Sequence, residues 1–327
     1  MKADFDLPPL VTIVTATYRH FEKIQDTVSS VLRQTYPRME YYICDDASDP
    51  FPRQEIEQLL ASAGDNIVHA EIIHHAENVG TVRNLNSAYK KGKGNIYINL
   101  SCGDSFFSED VVEKIVKVFQ ERQAKLVATT RVMFTGDYEP KCMLPHYCDR
   151  EKIAALDTHR KQYKSLILGM FYDMASGSAM HFSREILEEL QYFDETYRLW
   201  EDGPFLAKYL WKYKLECAYD IISIWYEDGG VSSSGQPLNP QLYADTIRFD
   251  DTERQAHTEC LNQEERRILQ YVTGLSHLPR TGKMRLLKKC ILNLRYFSVY
   301  KNLRLIAKER NSGIAKDLEI LSGIVHR

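Results

Sequence analysis

The sequence lacks long apolar segments and any strong excess of one charge. No apolar run approaches the roughly 18 to 20 residues of a membrane-spanning helix, and residues 1–6 begin acidic, without the apolar core of a signal peptide. The 42 Lys and Arg residues nearly balance the 45 Asp and Glu residues, for a formal net charge of −3. This balance points to no nucleic-acid partner, and we expect a cytoplasmic protein.

Cysteine is present but forms no recognisable pattern. The seven cysteines are odd in number and scattered, and no two of them form a CxxC pair. This argues against both a disulfide framework and a zinc ribbon. Cys142 and Cys148 flank His146, but no plausible fourth ligand lies nearby in the sequence, so we do not predict a metal site there.

Strand-like and helical segments alternate through the first 130 residues. Apolar runs typical of buried strands occupy residues 11–16, 41–44, 70–75, 96–100 and 126–130. Segments with helical character lie between them, at residues 21–32, 53–60, 82–89 and 108–119. This alternation predicts an α/β fold with a mostly parallel sheet and helices on both faces.

The phosphate-binding loops common in such sheets are missing. Residues 16–20 (ATYRH) follow the first predicted strand, where a glycine-rich dinucleotide fingerprint would stand, and no GxxxxGK[ST] sequence occurs. The pattern therefore predicts a nucleotide-binding sheet without the NAD or P-loop phosphate cradle. A nucleotidyltransferase on a similar sheet is disfavoured for the same reason.

Acidic residues follow two of the predicted strands, at the sheet edge where open α/β sheets bind ligands. The fourth strand leads through a small-residue turn to Asp104, a carboxylate suited to a hard cation such as Mg²⁺. The second strand ends in Asp45, Asp46 and Asp49. Three acids at the tip of a buried strand are costly unless a positive or hydrogen-bond-donating group is bound there. The plainer alternatives are a simple turn aspartate at 104 and an Asx-rich turn at 45–49.

Two later stretches carry charges that fit an anionic ligand or catalysis. Arg83 lies in the first turn of a predicted helix, where a positive charge opposes the macrodipole, and this indicates an anionic partner such as a diphosphate. The alternative is a solvated surface arginine. Glu201 and Asp202 precede another predicted helix, between Trp200 and Phe205, whose apolar surface can raise a carboxylate pKa towards that of a general base. The alternative is that they cap the helix.

The middle of the chain is less regular. Residues 131–164 lose periodicity and contain Gly136, Pro140 and Pro145, so we expect a long loop that shapes a substrate pocket. A strand is predicted at residues 221–226, followed by a loop at 227–235. The adjacent His74 and His75 face opposite sides of their strand and are interpreted as ordinary strand-end residues.

The C-terminal part is predicted to be helical from about residue 253 to 327. Its segment from Lys283 to Arg310 is basic and loosely amphipathic. Such a segment can lie on an anionic membrane surface. Alternatively, it packs against the core and leaves its lysines in solvent.

Several short motifs together resemble those of the inverting family 2 glycosyltransferases of GT-A fold. The resemblance covers roughly residues 9–235. It rests on Val11–Val14 with Thr17 and Tyr18, Ser29–Tyr36, Asp45–Ser48, Asn78–Gly80 with Arg83 and Asn84, Asp104, Phe193–Glu195, and Glu201 with Asp202. Each motif is short, and it is their order and spacing that match the family.

The resemblance implies a fold, a donor and an acceptor. Residues 1–107 would form the nucleotide-sugar-binding half of a GT-A domain, residues 108–250 its acceptor-binding half, and residues 251–327 a basic helical extension. The implied donor is a UDP-sugar. The implied acceptor is a glycan or a lipid-linked glycan at the cytoplasmic face of a membrane, as in assembly of bacterial surface polysaccharide.

The resemblance also implies roles for individual residues. By it, Asp46 contacts the uracil base, and Asp104, as the last aspartate of the DXD-type motif, binds Mn²⁺ or Mg²⁺. Asp202 matches the catalytic base, with Glu201 beside it as the alternative. The other implied donor-binding residues are Ala16, Thr17, Tyr18, Asp45 and Arg83.

The sequence departs from the family pattern in the DXD-type motif. Ser101, Cys102 and Gly103 stand where the family usually has its earlier aspartates, so only Asp104 remains. This implies weaker metal binding or a different hold on the donor sugar. It also supports a second class of function, a catalytically silent protein that binds a nucleotide sugar or a glycan.

Overall fold

The computed structural model describes residues 7–175, 177–228, 239–279 and 281–325. In chain order the strands are β1 (Val11–Thr17), β2 (Met39–Asp45), β3 (Ile67–His74), β4 (Ile96–Ser101), β5 (Ser105–Phe106), β6 (Leu126–Thr135), β7 (Glu139–Leu144), β8 (Met180–Ser183) and β9 (Glu216–Glu227). The helices are α1 (Ile24–Leu32), α2 (Arg53–Leu60), α3 (Thr81–Tyr89), α4 (Val111–Arg122), α5 (Tyr147–Ala154), α6 (His159–Ile167), α7 (Arg184–Glu189), α8 (Asp202–Lys212), α9 (Pro240–Asp251), α10 (Gln263–Ser276), α11 (Lys283–Arg295) and α12 (Phe297–Val325). Most of the loop predicted at 227–235 lies outside the described residues.

The strands form one mixed sheet in the order β3-β2-β1-β4-β8-β6-β9-β5, and β7 pairs with the second half of β6. β3, β2, β1 and β4 are parallel, β8 is antiparallel to β4 and β6, and β9 is parallel to β6. The predicted α/β fold is therefore confirmed. The carboxyl ends of β1, β2 and β4 consequently lie together at one edge.

Helices cover both faces of the sheet, as alternate residues of β2 illustrate. Tyr41 and Ile43 pack into a cluster that includes residues of α1 and α4. Tyr42 and Cys44 pack into a second cluster with residues of α3, α6 and α8. All four side chains are buried, which explains why this strand is apolar on both faces instead of alternating with polar residues.

The long loop predicted for residues 131–164 is wrong. β6 continues to Thr135, turns at Gly136 (φ +56°) and returns as β7, and α5 and α6 follow. Pro140 lies in β7, which is an edge strand among the described residues, and proline is tolerated at such an edge. In α6 the buried face includes the polar Gln162 and Ser165, so the helix lacks the apolar stripe by which sequence periodicity is recognised.

The C-terminal helices pack on the sheet domain to different degrees. On α12, Asp317 is fully buried and accepts hydrogen bonds from Met143 N (3.1 Å), His146 Nδ1 (2.6 Å) and Tyr147 N (2.8 Å). By contrast, every residue of α11 is at least partly exposed. The helical prediction for this region is confirmed. Among the described residues, no helix combines the length and hydropathy needed to cross a membrane.

Candidate active site

The loops that follow β1, β2 and β4 lie side by side at the edge of the sheet. The N–H of Asp46 donates to Thr17 O (3.0 Å), and the N–H of Cys102 donates to Ala16 O (3.0 Å). The end of β1 therefore lies between the loop that carries Asp46 and the turn that carries Asp104.

Asp45 is fully buried at the end of β2, and the protein itself binds its carboxylate. The N–H (2.8 Å) and the hydroxyl (2.6 Å) of Ser48 donate to it, and His74 Nδ1 lies 2.8 Å away. The His74 ring stacks on Phe51 at 4.7 Å. These contacts match the Asx-turn alternative and favour a structural role for Asp45. The interpretation of His74 as an ordinary strand-end residue missed this partner.

Asp46 is 4% exposed, and its carboxylate joins the loop after β2 to the loop before α3. It accepts hydrogen bonds from Val79 N (2.6 Å), Gly80 N (3.0 Å) and Asn78 Nδ2 (2.8 Å). A carboxylate has about four acceptor sites, so little capacity is left for a ligand. The contact between Asp46 and a uracil base stays a prediction.

Two of the predicted donor-binding side chains are exposed to solvent. Tyr18, directly after β1, is 42% exposed, and the Arg19 guanidinium lies 5.1 Å from its ring centroid. Arg83 Nε lies 3.6 Å from Glu195 Oε2 in a largely solvated ion pair. Such pairs contribute little to stability, so Arg83 can exchange this partner for a ligand. Its role in donor binding also stays a prediction.

Asp104 is a buried carboxylate with one unused oxygen. It is 2% exposed, and its Oδ1 accepts a hydrogen bond from Glu227 N at 3.0 Å. Its Oδ2 is buried and accepts no hydrogen bond of standard geometry from the described residues. The turn around it is held in place because the Thr27 hydroxyl donates to Asp104 O at 2.7 Å. Oδ2 is therefore available to a ligand of positive charge.

The electrostatic surroundings of Asp104 favour such a ligand. Burial raises the pKa of its carboxyl group to about 7, although the Glu227 N–H, the Ser178 hydroxyl and the Arg131 guanidinium act in the opposite direction. The described residues contain no group of three or more His, Cys, Asp and Glu side chains that could hold a metal ion. A divalent ion here would need ligands besides Asp104. Mg²⁺ commonly takes one or two carboxylates together with substrate phosphates, and the Asp104 site fits that pattern.

Glu227, at the end of β9, is a candidate site residue that the sequence interpretation missed. Its carboxylate lies 2.7 Å from His20 Nε2, and it occupies the space that a Cβ on Gly103 would need. Gly103 also has φ +104°, a backbone conformation that favours glycine. The Glu227 carboxylate therefore lies beside the position at which the DXD-type motif departs from the family pattern. The sequence signal for Glu227 was limited to its position at a strand end.

Asp202, at the start of α8, is oriented by two backbone N–H groups. Its Oδ2 accepts a hydrogen bond from Gly177 N and its Oδ1 accepts one from Gly203 N, both at 2.7 Å. The Trp200 ring lies where a Cβ on Gly203 would be. The Trp200 ring thus lies against the first turn of α8. The Asp202 side chain does more than cap the helix, since it also accepts a hydrogen bond from the turn at residues 177–179.

Glu201 is the carboxylate directly before Asp202. Burial, and then the neighbouring Asp202 carboxylate, raise its pKa. Its charge in turn contributes to the raised pKa of the buried Tyr89, for which burial is the main cause. Asp202 is the better candidate of the two for a reacting group, because it accepts the hydrogen bond from Gly177 N.

Asp245, on α9, was also missed by the sequence interpretation. It is buried, and its carboxylate accepts hydrogen bonds from the N–H groups of Arg198 (3.1 Å), Leu199 (2.6 Å) and Trp200 (3.1 Å). It thereby fixes the loop that leads to Asp202. The same loop contacts the Asp46 region, because Arg198 Nη2 donates to Asn78 Oδ1 at 2.6 Å.

The short 3₁₀ turn Gly177–Ala179 brings Asp104 and Asp202 together. Gly177 binds Asp202 through its N–H, and the next residue, Ser178, has its hydroxyl beside Asp104. The two carboxylates therefore each approach one of two adjacent residues. The arrangement brings an acidic ligand site and a candidate base to the same turn.

The comparisons with known proteins identify the family of the chain. Residues 12–190, more than half of the 327-residue chain, match the model of glycosyl transferase family 2. The chain belongs to this family.

Individual relatives cover only parts of the chain. TuaG of Bacillus subtilis (strain 168), a glycosyltransferase named for teichuronic acid biosynthesis, is 30% identical over 132 residues, which are 40% of this chain and 50% of TuaG. The uncharacterized glycosyltransferase RP339 of Rickettsia prowazekii (strain Madrid E) is 29% identical over 107 residues, 33% of this chain and 31% of RP339. The chain thus spans half or less of the length of these relatives.

Solved structures share the fold. S. aureus TarS 1–349 in complex with UDP-GlcNAc superposes with a TM-score of 0.55 at 14% identity, covering 90% of this chain and 91% of that one. The mannosyltransferase PcManGT from Pyrobaculum calidifontis, in complex with GDP-Man and Mn²⁺, gives 0.54 at 16% identity, covering 98% and 82%. This likeness confirms the expected GT-A fold with C-terminal helices.

Proposed function

We propose that this chain is an inverting glycosyltransferase that moves a sugar from a UDP-sugar to a hydroxyl group of a glycan. The observation that carries the proposal is that Asp202 binds Gly177 while Asp104 lies beside Ser178, the next residue. Family membership supports the reaction type. TarS, which shares the fold, was solved in complex with UDP-GlcNAc, and this supports a uridine nucleotide as donor.

The residues suit a single displacement. Asp202 accepts the proton of the acceptor hydroxyl as its oxygen attacks the anomeric carbon. The bond from that carbon to the diphosphate oxygen breaks on the opposite face, so the anomeric configuration inverts. The two backbone N–H groups on Asp202 hold the carboxylate in a fixed orientation, as a general base requires.

A divalent ion, Mn²⁺ or Mg²⁺, is proposed as cofactor, with Asp104 Oδ2 as its ligand from the protein. When bound, such an ion neutralises charge on the departing diphosphate. The unpartnered Oδ2 and the raised pKa of the buried carboxyl group support this assignment. PcManGT, which shares the fold, was solved with Mn²⁺ alongside GDP-Man.

Donor titrations test the proposal. We expect purified protein to bind UDP more tightly than GDP, more tightly with Mn²⁺ than with EDTA, and to release UDP from a UDP-sugar when a suitable acceptor is added. Calorimetry measures the binding, and a coupled assay measures the release. Preference for GDP would contradict the uridine assignment, and the complex of PcManGT with GDP-Man makes this a real alternative for the fold.

The second candidate function is that of a catalytically silent nucleotide-sugar binder. The reduced motif at Ser101–Gly103, together with the lack of a larger metal-ligand cluster in the described residues, favours it. It predicts UDP binding without UDP release under any acceptor condition. The same titrations therefore separate the two candidates.

The acceptor is proposed to be lipid-linked and reached by peripheral binding to the cytoplasmic face of a membrane. On α11, Leu287, Ile291 and Leu294 lie along one side and are 61%, 55% and 79% exposed. The helix carries basic residues and no acidic one. Exposed apolar side chains flanked by lysines are typical of interfacial helices.

Vesicle flotation tests this contact. We expect the protein to float with vesicles that contain phosphatidylglycerol and to stay unbound with phosphatidylcholine alone. The double substitution Ile291→Ser and Leu294→Ser should abolish flotation without changing thermal stability, since both side chains are exposed. Equal flotation of the variant and the wild type would remove α11 as the contact.

A further inference from the structure

Arg131, on β6, lies close to the parts of the site that contact Asp104 and Asp202. Its guanidinium carbon lies 4.2 Å from the ring centroid of Tyr226, the residue before Glu227. Its Nη1 lies 3.7 Å from the position that a Cβ on Gly177 would take. Arg131 is therefore next to the turn that binds Asp202 and next to the strand end that binds Asp104.

The Arg131 guanidinium has no anionic partner in the described part of the chain. No ion pair and no side-chain hydrogen bond join it to the described residues, and its Nε is buried without a hydrogen-bond acceptor. Its charge acts on Asp104 only at a distance. A partly buried cation without a partner is costly, and this cost is recovered when an anion binds.

The chemistry of arginine narrows the anion to a phosphate or a carboxylate. The planar guanidinium offers a fork of N–H donors that matches their oxygens. The cation–π contact with Tyr226 helps to hold the guanidinium in place without using its N–H donors. Arg131 lies close to the surroundings of two side chains of the site: Asp104, the proposed ligand site for the leaving diphosphate, and Asp202, the proposed base for the acceptor hydroxyl. The donor diphosphate is the anion that is present in every turnover, so we take it as the ligand.

We propose that Arg131 binds the diphosphate of the donor and supplies fixed positive charge at a site whose acidic motif is reduced to Asp104. This inference rests on the proposed function. As the bond between the anomeric carbon and the diphosphate oxygen breaks, the electron pair goes to that oxygen, and Arg131 stabilises the resulting charge. The proton of the acceptor hydroxyl goes to Asp202. Donor binding is then less dependent on a divalent ion than it would be with a metal site alone.

Calorimetry with UDP and with uridine tests the assignment in EDTA, where no divalent ion contributes. In Arg131→Gln we expect UDP binding to weaken by about ten- to hundredfold, the range for lost hydrogen bonds to a charged group, and uridine binding to stay unchanged. Arg131→Lys should give an intermediate loss, because lysine keeps the charge without the fork. Arg122→Gln, at an exposed arginine of α4, is the matched control and should bind both ligands as the wild type does.

Each alternative outcome is distinct. Unchanged UDP affinity in Arg131→Gln overturns the assignment, and it does so even if turnover falls, because the arginine would then serve the acceptor. A parallel loss of uridine affinity also overturns it, since the defect would lie in the fold or the base pocket. If the wild type binds GDP and not UDP, the uridine assignment fails, and the same comparison with GDP and guanosine decides the role of Arg131. If the wild type binds neither nucleotide in EDTA, the Arg131 proposal fails, and if it also binds neither with Mn²⁺, the proposed function fails as well.

Discussion

Replacing Asp202 with asparagine is expected to lower the turnover number by about 10²- to 10⁴-fold, the usual contribution of a positioned general base. The amide keeps the size of the side chain and can still accept one of the two hydrogen bonds that Gly177 and Gly203 donate. It has no basic lone pair for the acceptor proton. The affinity for UDP should change little, because no donor-binding role is assigned to Asp202. Steady-state UDP release and calorimetry on the same preparations measure the two quantities.

Glu201→Gln is the matched comparison for this prediction. Glu201 is the adjacent carboxylate, but of the two side chains only that of Asp202 has a hydrogen bond to the 177–179 turn among the described residues. We expect Glu201→Gln to retain most of the turnover that Asp202→Asn loses. If Asp202→Asn stays active and Glu201→Gln does not, the base is Glu201. If both stay active, neither carboxylate is the base, and the proposed displacement loses its proton acceptor.

The periodic parts of the sequence were sufficient to predict the sheet that carries the site. β2 is apolar on both faces because helices cover both sides of it, and the polar residues that follow it are therefore visible as a break in the pattern. Asp46 was found in this way after β2, and Asp104 in the same way after β4. Their detailed contacts were not predictable, because the bonds of Asp46 to Val79 and Gly80 come from a loop that sequence patterns do not place in space.

Residues that depend on tertiary contacts were missed or misjudged. Arg131 lies at the start of the stretch predicted to be a loop, and a single arginine there gives no sequence signal of a site. In the structure β6 continues through Arg131, because β7 and β9 pair with it on either side. Asp245 lies on α9, and no sequence pattern predicts that its carboxylate binds the loop before α8. Asp104 and Asp202 are brought to the same turn, which begins at Gly177, a residue with φ +44°. The local sequence of this turn does not predict which distant carboxylates it will contact.

Replacing Asp104 with asparagine is expected to remove the response to metal. In the wild type, Mn²⁺ should strengthen UDP binding, because Asp104 Oδ2 offers an anionic ligand beside the diphosphate. An amide oxygen carries no net charge, so in Asp104→Asn the UDP affinity should be nearly the same in Mn²⁺ and in EDTA. Turnover should fall by about 10²-fold or more if charge neutralisation contributes several kcal/mol. An undiminished Mn²⁺ response in the variant would place the ion elsewhere, with Glu227 as the nearest acidic candidate.

Stability measurements separate this effect from damage to the fold. Burial raises the pKa of Asp104 in the folded protein to about 7, above about 3.9 in an unfolded chain. The folded state then binds the proton more tightly, so the metal-free wild type loses stability as pH rises from about 4 to about 7. Asp104→Asn has no charge to bury and keeps its Oδ1 for the Glu227 N–H. We therefore expect the variant to be at least as stable as the wild type at pH 8 in EDTA, with the difference shrinking towards pH 4. Thermal unfolding across this pH range checks the sign, and a variant less stable at pH 8 would mean that Asp104 is needed by the fold itself.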